Sequence, residues 1–562
     1  MVREILATVA ASTDEEPAVG NISAIERRRP SLKNTALYIA ASVLLLCAGI
    51  GLRLANLNNV STRSPDERTY AWEAGVVAQK GTAGFRVLVD EFRRDASLFV
   101  YPPPTRVGYL WLLAKTMAAT GVTDPKAGAY LSCVASIGSL LLVGIIAWRF
   151  FSPPIALFAL LFYSVYPAEL ALARRAWQDA LIELLGLSLI YAACDITRGS
   201  RSRAWFAVYA LLTAACVTVK ETSVLVAALC ALWILLLLLV RRDWRNAILF
   251  AVCTLAGLGA GISWVARCLG GLHTLVEFTV TTFRVMATIP YNIEYQTGPG
   301  YRLLEAFWVV SPFVSVLAIG GLAAALTRKT TNLPDKNSQV AFWISLFFLA
   351  FLAVPLALSK LNLRWVSVLF GPCCLLAGMG FCWLFALIKK WMAEFDHRVL
   401  GALVVAGLLV AALLDYSTFQ TMFVKGGLKD LSVKMILDAS GHEPAGEQIA
   451  TQQSAGDQPT LSLAAAATLA QQQPTAENYL NLSLLYHRAG RYQDCIAAAR
   501  KALLLKPDYP EAYNNIAAAY QSMGDWDKAI AAAQQALRIR PDFVLARNNL
   551  AYSQAQKKLN SR

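Results

Sequence analysis

The chain has 562 residues, of which 56% are hydrophobic and only 16% are charged, and its formal net charge is +14. Soluble globular domains carry about 25% charged residues, so this composition excludes an ordinary soluble protein and indicates that lipid solvates most of the chain. The positive charge does not indicate nucleic-acid binding, because lysine and arginine collect in the cytoplasmic loops of membrane proteins. We therefore interpret the basic residues as a topology signal.

The cysteines and histidines do not form the pattern of a metal site. Most of the eleven cysteines lie inside apolar segments, none forms a CxxC pair, and the four histidines are scattered. Cysteines in such segments behave as small buried hydrophobic residues, whereas metal ligands need close spacing. The sequence therefore favours neither a zinc enzyme nor a redox enzyme, and we expect no obligatory metal.

The N-terminal tail, residues 1–34, is polar and becomes basic just before the first apolar segment. Three arginines at 27–29 and Lys33 precede Thr35–Leu57. A run of about 20 apolar residues is long enough to cross a bilayer, and this one has no small-residue cleavage site. We interpret it as an uncleaved signal anchor with a cytoplasmic N-terminus.

Ten further apolar segments are predicted to span the membrane. Thr105–Gly121 is apolar but short, and we interpret it as a juxtamembrane or re-entrant helix. With eleven spans the basic loops lie on the cytoplasmic side, whereas a full span at Thr105–Gly121 would place them outside. The C-terminus is therefore predicted to lie outside. The predicted spans are Thr35–Leu57, Gly128–Trp148, Pro154–Leu170, Trp177–Ala193, Ala204–Val219, Thr222–Val240, Ala247–Val265, Leu303–Ala325, Val340–Leu358, Val366–Ile388 and Val399–Leu414.

The C-terminal region has a 34-residue period, closed by Pro507 and Pro541, with the spacing of tetratricopeptide repeats. Val544–Gln556 is interpreted as a closing half-repeat and Leu461–Gln473 as a degenerate opening helix, because stability needs about three repeats. Such a module binds a peptide or protein partner, and a purely structural role is the alternative. The first copy contains Tyr479, Leu482, Tyr486, Gly490, Tyr492, Cys495, Ile496, Ala502 and Leu503, and the second contains Tyr513, Ile516, Tyr520, Gly524, Trp526, Ala529, Ile530, Ala536 and Leu537.

The predicted fold class is all-α: a polytopic membrane helix bundle of about 11 spans, followed by a soluble tetratricopeptide α-solenoid. Residues 439–460 are rich in Gln, Ser, Gly, Glu and Pro, which is typical of a linker. The predicted domains are a cytoplasmic tail at 1–34, a transmembrane domain at 35–430, a linker at 431–473 and a repeat domain at 474–562.

Two adjacent carboxylates, Asp66 and Glu67, follow directly on the first span. Ser64 suits the N-cap and Pro65 the first turn of a helix that continues past Tyr70. A carboxylate at a helix N-terminus is favoured in its ionised form, and an ionised aspartate can act as a general base toward a hydroxyl. The alternatives are that Asp66 only caps the helix, or that the pair lies in a solvated loop.

The outer connection before the span Trp177–Ala193 also carries charged residues. Arg175, Asp179 and Glu183 are spaced four residues apart and are predicted to share one helix face. Glu183 lies in an apolar segment, where ionisable groups face a cavity or a partner. A substrate role for Asp179 and a structural network of the three residues are both consistent with this spacing.

Other polar residues interrupt the apolar pattern at the predicted outer boundary. Lys360 and Arg364 suit a lipid-linked phosphate, because a phosphate needs fixed cations and arginine binds it bidentately. Lys220 with Glu221 separates two spans at the same boundary. The alternative for each of these residues is that its charged side chain only anchors a helix end at the membrane interface. Arg53, near the end of the first span, also lies within reach of that interface.

These motifs, taken in order, resemble those of GT-C type membrane glycosyltransferases: protein O-mannosyltransferases, the lipid A aminoarabinose transferase and lipopolysaccharide galacturonosyltransferases. The resemblance covers roughly residues 35–430. It is carried by Arg53, by Asp66-Glu67 with Tyr70, by Tyr101-Pro102-Pro103, by Arg175 with Asp179, by Lys220-Glu221 and by Lys360 with Arg364. Tetratricopeptide repeats also occur in animal membrane O-mannosyltransferases, which carry many copies, whereas this chain has two clear ones.

The resemblance implies transfer of a sugar from a polyprenyl-phosphate donor to a glycan, lipid or protein hydroxyl at the outer membrane face, with inversion. The implied catalytic residues are Asp66, which matches the catalytic base, Glu67, which shapes the acceptor or donor site beside it, and Asp179, which matches the second outer-loop acid. The implied donor-phosphate and substrate contacts are Arg53, Tyr70, Tyr101, Arg175, Lys220, Glu221, Lys360 and Arg364.

Two other functions remain open at this point. A polysaccharide polymerase or O-antigen ligase would use Arg and His in a large outer loop and would not require Asp66. A non-enzymatic membrane assembly protein would depend on its repeats. The predicted location is a bacterial inner membrane with periplasmic repeats, and an endoplasmic-reticulum membrane is the alternative.

Overall fold

The structure is a computed structural model, and every regular element that it describes is a helix. An isolated antiparallel bridge joins Asn362 to Ser432. The described residues are 32–55, 57, 64–94, 98, 101–199, 202–288, 295–327, 335–358, 361–392, 396–426, 428, 430–440, 463–488, 491–541 and 543–560. Most of the predicted N-terminal tail and of the predicted linker lies outside these residues.

Two compact units make up the chain. The first comprises Met1–Asp90, Tyr101–Phe283 and Glu294–His442, and the second comprises Glu91–Val100, Arg284–Ile293 and Glu443–Arg562. Helices up to residue 440 are α1 Leu32–Leu54, α2 Pro65–Lys80, α3 Ala83–Arg94, α4 Val107–Thr120, α5 Lys126–Phe150, α6 Pro153–Val165, α7 Pro167–Leu172, α8 Asp179–Thr197, α9 Ala204–Val219, α10 Ser223–Val240, α11 Trp244–Leu269, α12 Leu272–Thr288, α13 Arg302–Val310, α14 Pro312–Leu326, α15 Asp335–Ala357, a 3-10 helix Leu363–Leu369, α16 Phe370–Trp391, α17 His397–Thr418, a π-helix Phe419–Lys425 and α18 Val433–Ala439. In the C-terminal region they are α19 Leu463–Gln472, α20 Ala476–Arg488, α21 Tyr492–Leu505, α22 Pro510–Ser522, α23 Trp526–Ile539 and α24 Val544–Asn560.

Eight helices of the described chain are long and apolar enough to cross a membrane. A ninth candidate is the pair α13 and α14, and the shorter apolar helices α6 and α9 occupy the remaining two predicted positions. The eight are Thr35–Leu54, Lys126–Phe150, Asp179–Thr197, Ser223–Val240, Trp244–Leu269, Lys336–Ala357, Leu363–Trp391 and Val399–Lys425. The polytopic helical class is therefore confirmed, although length and composition support eight or nine spans rather than eleven.

Two predicted continuous spans are interrupted, and in both cases a proline follows the break. The predicted segment Pro154–Leu170 ends as a helix at Val165, because Tyr166 precedes Pro167 and takes an extended ψ of 116°. The predicted segment Leu303–Ala325 bends by 115° between α13 and α14. Here Ser311 precedes Pro312 and leaves the helical conformation.

Glycines allow α14 and α16 to pack at very short range. A β-carbon on Gly321 would lie 1.9 Å from the carbonyl oxygen of Leu376, and one on Gly380 would lie 1.9 Å from that of Leu317. Small residues permit such approach between membrane helices, whose association depends on van der Waals packing. This crossing helps to hold α16, which follows directly on the 3-10 helix that carries Arg364.

Replacing Gly380 by valine should lower the free energy of unfolding by about 3 kcal/mol, because backbone on both sides of the crossing would have to move. The matched control is Gly259→Val in α11, where an added β-carbon has no neighbour within 4 Å; it should change stability by less than about 0.5 kcal/mol. Denaturation of both variants in bicelles measures the difference. Equal stability of the two variants would contradict the close crossing.

The C-terminal helices form the predicted antiparallel pairs of tetratricopeptide repeats. Cys495, Ala502, Ala529 and Ala536, the small residues of the pattern, are fully buried where the helices of each pair meet. Gly524 has a φ of 77°, a left-handed conformation that suits glycine in the turn between α22 and α23. The flanking helices α19 and α24 correspond to the predicted opening helix and closing half-repeat.

Candidate active site

The first acidic motif forms the predicted helix N-terminus. Ser64 is the N-cap of α2, and Pro65 is its first residue. The Glu67 backbone N–H donates to Ser64 Oγ at 3.4 Å, and Glu67 Oε2 accepts from the Ser64 backbone N–H at 2.7 Å. This reciprocal pair is a capping box, and it fixes the orientation of Asp66 at the start of the helix.

Glu67 connects this helix start to the segment before α8. Its Oε1 accepts from the Ala176 backbone N–H at 2.7 Å, and its Oε2 accepts from Arg175 Nη1 at 3.2 Å. The Glu67 side chain is fully buried, and Trp177 Nε1 adds a hydrogen bond to Ser64 Oγ at 3.1 Å. Because both carboxylate oxygens accept buried hydrogen bonds, we expect Glu67 to stabilise the site.

Arg364 lies at the centre of a group of three aspartates. Its Nε donates to Asp179 Oδ2 at 2.8 Å, and its Nη1 lies 3.6 Å from Asp66 Oδ2 and 3.4 Å from Asp430 Oδ1. Lys220 Nζ donates to the other Asp179 oxygen at 2.7 Å. The tertiary structure thus joins residues from α2, α8, the 3-10 helix and the connections at 220 and 430. We call these five residues the aspartate–arginine cluster.

Asp66 is the accessible carboxylate of this cluster. Its side chain is 36% exposed, whereas those of Asp179 and Asp430 are 0% and 8% exposed. Burial raises the pKa of the Asp66 carboxyl above its usual value, while the Arg364 guanidinium acts in the opposite direction. Among these three aspartates, Asp66 is therefore best placed to exchange a proton with a bound molecule.

Asp430 was missed by the sequence analysis. It lies on the segment after the last long apolar helix, where no motif distinguishes it. Asn362 Nδ2 donates to Asp430 Oδ2 at 3.0 Å, and the Leu431 backbone N–H donates to Asp430 Oδ1 at 2.8 Å. Its place beside Arg364 depends on contacts between segments that are distant in sequence, so only the tertiary structure reveals it.

Arg106 is a second residue that sequence reasoning did not identify. Its guanidinium lies 5.5 Å from the centre of the Tyr70 ring, and its Nε lies 3.7 Å from Glu221 Oε2. Thr105 Oγ1 donates to Glu221 Oε1 at 2.9 Å. Within the described part of the chain, Arg106 Nε has no hydrogen-bond partner. The sequence did contain a signal for this residue, since Arg106 lies close to the Tyr101-Pro102-Pro103 motif.

Glu73 is a third such residue, seven positions after Asp66 in the same helix. It is fully buried, and neither of its carboxylate oxygens has a hydrogen-bond partner among the residues described. Burial raises the pKa of Glu73 well above its usual value, and the charge of Asp66 adds to that effect. Tyr70 and Tyr109 are also fully buried, with their rings 5.3 Å apart.

The predicted helix face shared by Arg175, Asp179 and Glu183 does not include Arg175. Helix α8 begins only at Asp179, so Arg175 does not share its face and pairs instead with Glu67. Glu183 accepts hydrogen bonds from Tyr163 OH at 2.9 Å and from the Gly371 backbone N–H at 3.1 Å. These contacts join Arg175 and Glu183 to residues other than Asp179.

Arg53 lies in another buried network. It is fully buried, its Nε donates to Ser136 Oγ at 2.6 Å, and its Nη2 donates to the Tyr163 carbonyl oxygen at 3.2 Å. Ser136 in turn donates to Glu169 Oε1 at 2.6 Å. These contacts lie between helices rather than at the aspartate–arginine cluster, and a substrate role for Arg53 stays a prediction.

Tyr101 and Lys360 are the remaining predicted contact residues. Tyr101 is buried, with 3% of its surface exposed. Lys360 lies outside the described residues. In the described ranges, no group of three or more His, Cys, Asp and Glu side chains is arranged to hold a metal ion, and the Arg364 guanidinium fills the space between the three aspartates.

Comparison with known proteins identifies the C-terminal region directly. Tetratricopeptide repeat family models match residues 476–509 and 510–543, which confirms the predicted repeats. A search of curated proteins found no match.

Several solved structures resemble the chain. The apo oligosaccharyltransferase of Archaeoglobus fulgidus aligns with a TM-score of 0.49 and 12% identity over 80% of this chain and 60% of that one. The oligosaccharyltransferase AglB from Archaeoglobus fulgidus in complex with an inhibitory peptide and a dolichol-phosphate aligns with a TM-score of 0.44 and 11% identity over 80% of this chain and 60% of that one. ArnT from Cupriavidus metallidurans bound to undecaprenyl phosphate aligns with a TM-score of 0.40 and 15% identity over 77% and 82%.

The chain spans about 60% of the length of the archaeal structures. All three TM-scores lie below 0.5. The chain is a polytopic helical membrane protein with C-terminal tetratricopeptide repeats.

Proposed function

We propose that the chain is an inverting membrane glycosyltransferase that moves a sugar from a polyprenyl-phosphate donor to an acceptor hydroxyl. The observation that carries this proposal is the aspartate–arginine cluster, in which a partly exposed carboxylate lies beside cations held by buried acids. Asp66 Oδ2 lies 3.6 Å from Arg364 Nη1. A reaction that removes a proton from one group and releases an anion at another needs such a pairing.

Asp66 acts as the general base. The acceptor oxygen attacks the anomeric carbon from the face opposite the donor phosphate, and the bond between that carbon and the phosphate oxygen breaks. The acceptor proton moves to Asp66, while the bonding electron pair leaves with the polyprenyl phosphate. Attack from the opposite face inverts the anomeric centre.

Fixed cations stabilise the phosphate that leaves. Arg364 is held through Nε by Asp179, which is itself held by Lys220. Arg106 lies next to Glu221, and its buried Nε has no hydrogen-bond partner among the described residues. Lys360 is the further predicted phosphate contact. Arginine can bind a phosphate through two parallel hydrogen bonds. In this scheme Asp179 positions Arg364, and no obligatory metal takes part.

The proposed orientation places this site at the outer membrane face. The N-terminal tail is then cytoplasmic and the repeats are periplasmic, as the distribution of basic loops favours. The acceptor is a hydroxyl on a glycan, a lipid or a protein. A peptide or protein partner bound to the repeats is proposed to bring the acceptor to the membrane.

Wild-type protein in proteoliposomes should convert at least one member of a radiolabelled panel of polyprenyl-phosphate sugars, with release of free polyprenyl phosphate and inverted product. Chromatography of the lipid and NMR of the product measure the two results. Asp66→Asn protein, prepared in the same way, is the control for activity of contaminating enzymes. Folded wild-type protein that neither binds nor converts any donor of the panel would contradict the proposed function.

A further inference from the structure

We propose that Asp430 is a positioning residue that holds Arg364 back from Asp66, so that the Asp66 carboxylate stays available for the acceptor proton. This inference rests on the proposed function, in which Asp66 is the base. Asp430 lies on the segment that follows the last long apolar helix, and no motif of the transmembrane domain includes it.

The position of the Arg364 guanidinium between two carboxylates supports this inference. Its Nε is fixed by the 2.8 Å hydrogen bond to Asp179 Oδ2, while its Nη1 lies between two carboxylates, 3.4 Å from Asp430 and 3.6 Å from Asp66. The guanidinium also lies over the Trp177 ring, 4.2 Å from its centre. A guanidinium pinned at Nε and Trp177 can still tilt at Nη1. Without the charge of Asp430, Nη1 would tilt toward Asp66 and form a close ion pair.

Asp430 is itself firmly held, as a positioning residue must be. Its residue surface is 7% exposed, and Asn362 Nδ2 and the Leu431 backbone N–H each donate to one of its oxygens. Two backbone hydrogen bonds join its segment to the segment that carries Arg364: Leu363 N–H to the Leu431 carbonyl at 2.9 Å, and Val433 N–H to the Leu361 carbonyl at 3.0 Å. Asp430 and Arg364 are therefore fixed relative to each other.

Charged groups from each neighbouring segment act on Asp66. Burial raises its pKa most, the Arg364 guanidinium lowers it, Asp430 raises it and Arg106 lowers it. Glu73 lies on the same helix and burial raises its pKa, and Asp179 and Lys220 form an ion pair next to Arg364. Removing the charge of Asp430 therefore lowers the pKa of Asp66 in two ways, since it removes a neighbouring negative charge and brings Arg364 closer.

Removal of the Asp430 charge should shift the pH dependence of sugar transfer toward lower pH. Asp66 must be ionised to accept a proton, so the acidic limb of the kcat/KM profile follows its pKa. In Asp430→Asn this limb should move to lower pH by about one unit, the smaller end of the range for an aspartate that gains an arginine partner. The maximal rate should fall about tenfold, because a carboxylate paired to arginine is a weaker base.

The test compares the pH profiles of wild type, Asp430→Asn and Asp430→Glu, which restores the charge and should return the limb toward the wild-type position. Asp430→Ser keeps a hydrogen-bond acceptor without the charge, and it serves as a second charge-free variant if Asp430→Asn does not fold. Asp438→Asn changes an exposed aspartate of the same C-terminal segment and should leave the profile unchanged. A merely structural role would change the rate or the amount of folded protein without moving the limb.

A titration that needs no turnover separates this inference from the proposed function. The carboxyl infrared band of Asp66, assigned by subtracting the spectrum of Asp66→Asn, reports its protonation directly in resting protein. We expect a lower midpoint in the charge-free variants than in wild type. Equal midpoints, or a higher one, would overturn the role of Asp430 even in an active enzyme, whereas lack of turnover by wild type would overturn only the proposed function.

Discussion

Asp66→Asn should lower kcat for sugar transfer by at least about a hundredfold, the scale of general-base catalysis. The amide has nearly the size of the carboxylate, so donor binding should change little and KM should stay within about threefold. Arg364 keeps its hydrogen bond to Asp179 and its contact with Asp430, and the cluster should therefore remain assembled. Steady-state kinetics in proteoliposomes, with the donor that wild type converts, measures both parameters.

The matched control for this experiment is Asp124→Asn. Asp124 is an aspartate with a half-exposed side chain that pairs with the nearby Lys126, and its replacement should leave kcat unchanged. Transfer by Asp66→Asn at more than about a tenth of the wild-type rate would exclude Asp66 as the base, because that loss is well below what removal of a general base causes.

Glu67→Ala should lower the stability of the protein and not only its rate of sugar transfer. The expected loss is about 3–5 kcal/mol in the free energy of unfolding. The change removes the carboxylate that pairs with the Arg175 guanidinium, whose side chain is 5% exposed. It also removes the acceptor of the Ser64 and Ala176 backbone N–H groups. Reversible denaturation in bicelles, or the yield of folded protein after purification, measures the loss.

Glu221→Ala is the control for this second prediction. Glu221 has a 42% exposed side chain and lies 3.7 Å from Arg106, whose side chain is 15% exposed, so its removal should cost less stability than removal of the fully buried Glu67. Glu67→Ala protein with wild-type stability and no transfer would contradict the structural assignment and support the catalytic role that the sequence motif implied for Glu67.

Neighbouring residues of one motif thus have opposite expected outcomes. Asp66 and Glu67 are adjacent and share the first turn of α2, yet Asp66 is 36% exposed and Glu67 is fully buried. Replacement of Asp66 should remove activity from a stable protein, whereas replacement of Glu67 should remove stability. In the sequence motif the two residues look equivalent. They differ in the structure because their side chains leave the helix in different directions.

Several features of the molecule could be predicted from the sequence because they depend on residues close together in the chain. The N-cap at Ser64 and the first residue at Pro65 depend on hydrogen bonds within one turn. The repeats depend on a 34-residue period that sets the same small residues at each helix contact. The length of each apolar run locates a helix, because a chain that crosses lipid must form its backbone hydrogen bonds internally. It does not locate the proline breaks at Tyr166 and Ser311 with the same accuracy.

The composition of the site could be predicted only in part. Asp66, Asp179, Lys220 and Arg364 were expected at one membrane face and lie in one cluster. Arg175 was expected beside Asp179 because both were assigned to one helix, but α8 begins at Asp179 and Arg175 turns to Glu67. Four-residue spacing predicts a shared face only where the helix already exists.

By itself, therefore, the sequence determined the helical membrane class, the repeats and the start of α2, since each follows from local hydrogen bonding or from contact with lipid. Only the tertiary structure decided which charges meet. Arg364 and Asp179 are 185 residues apart in the chain, and Arg364 and Asp430 are 66 apart. A single sequence carries no signal for pairs at such separations, because their distance is set by the packing of all the helices between them.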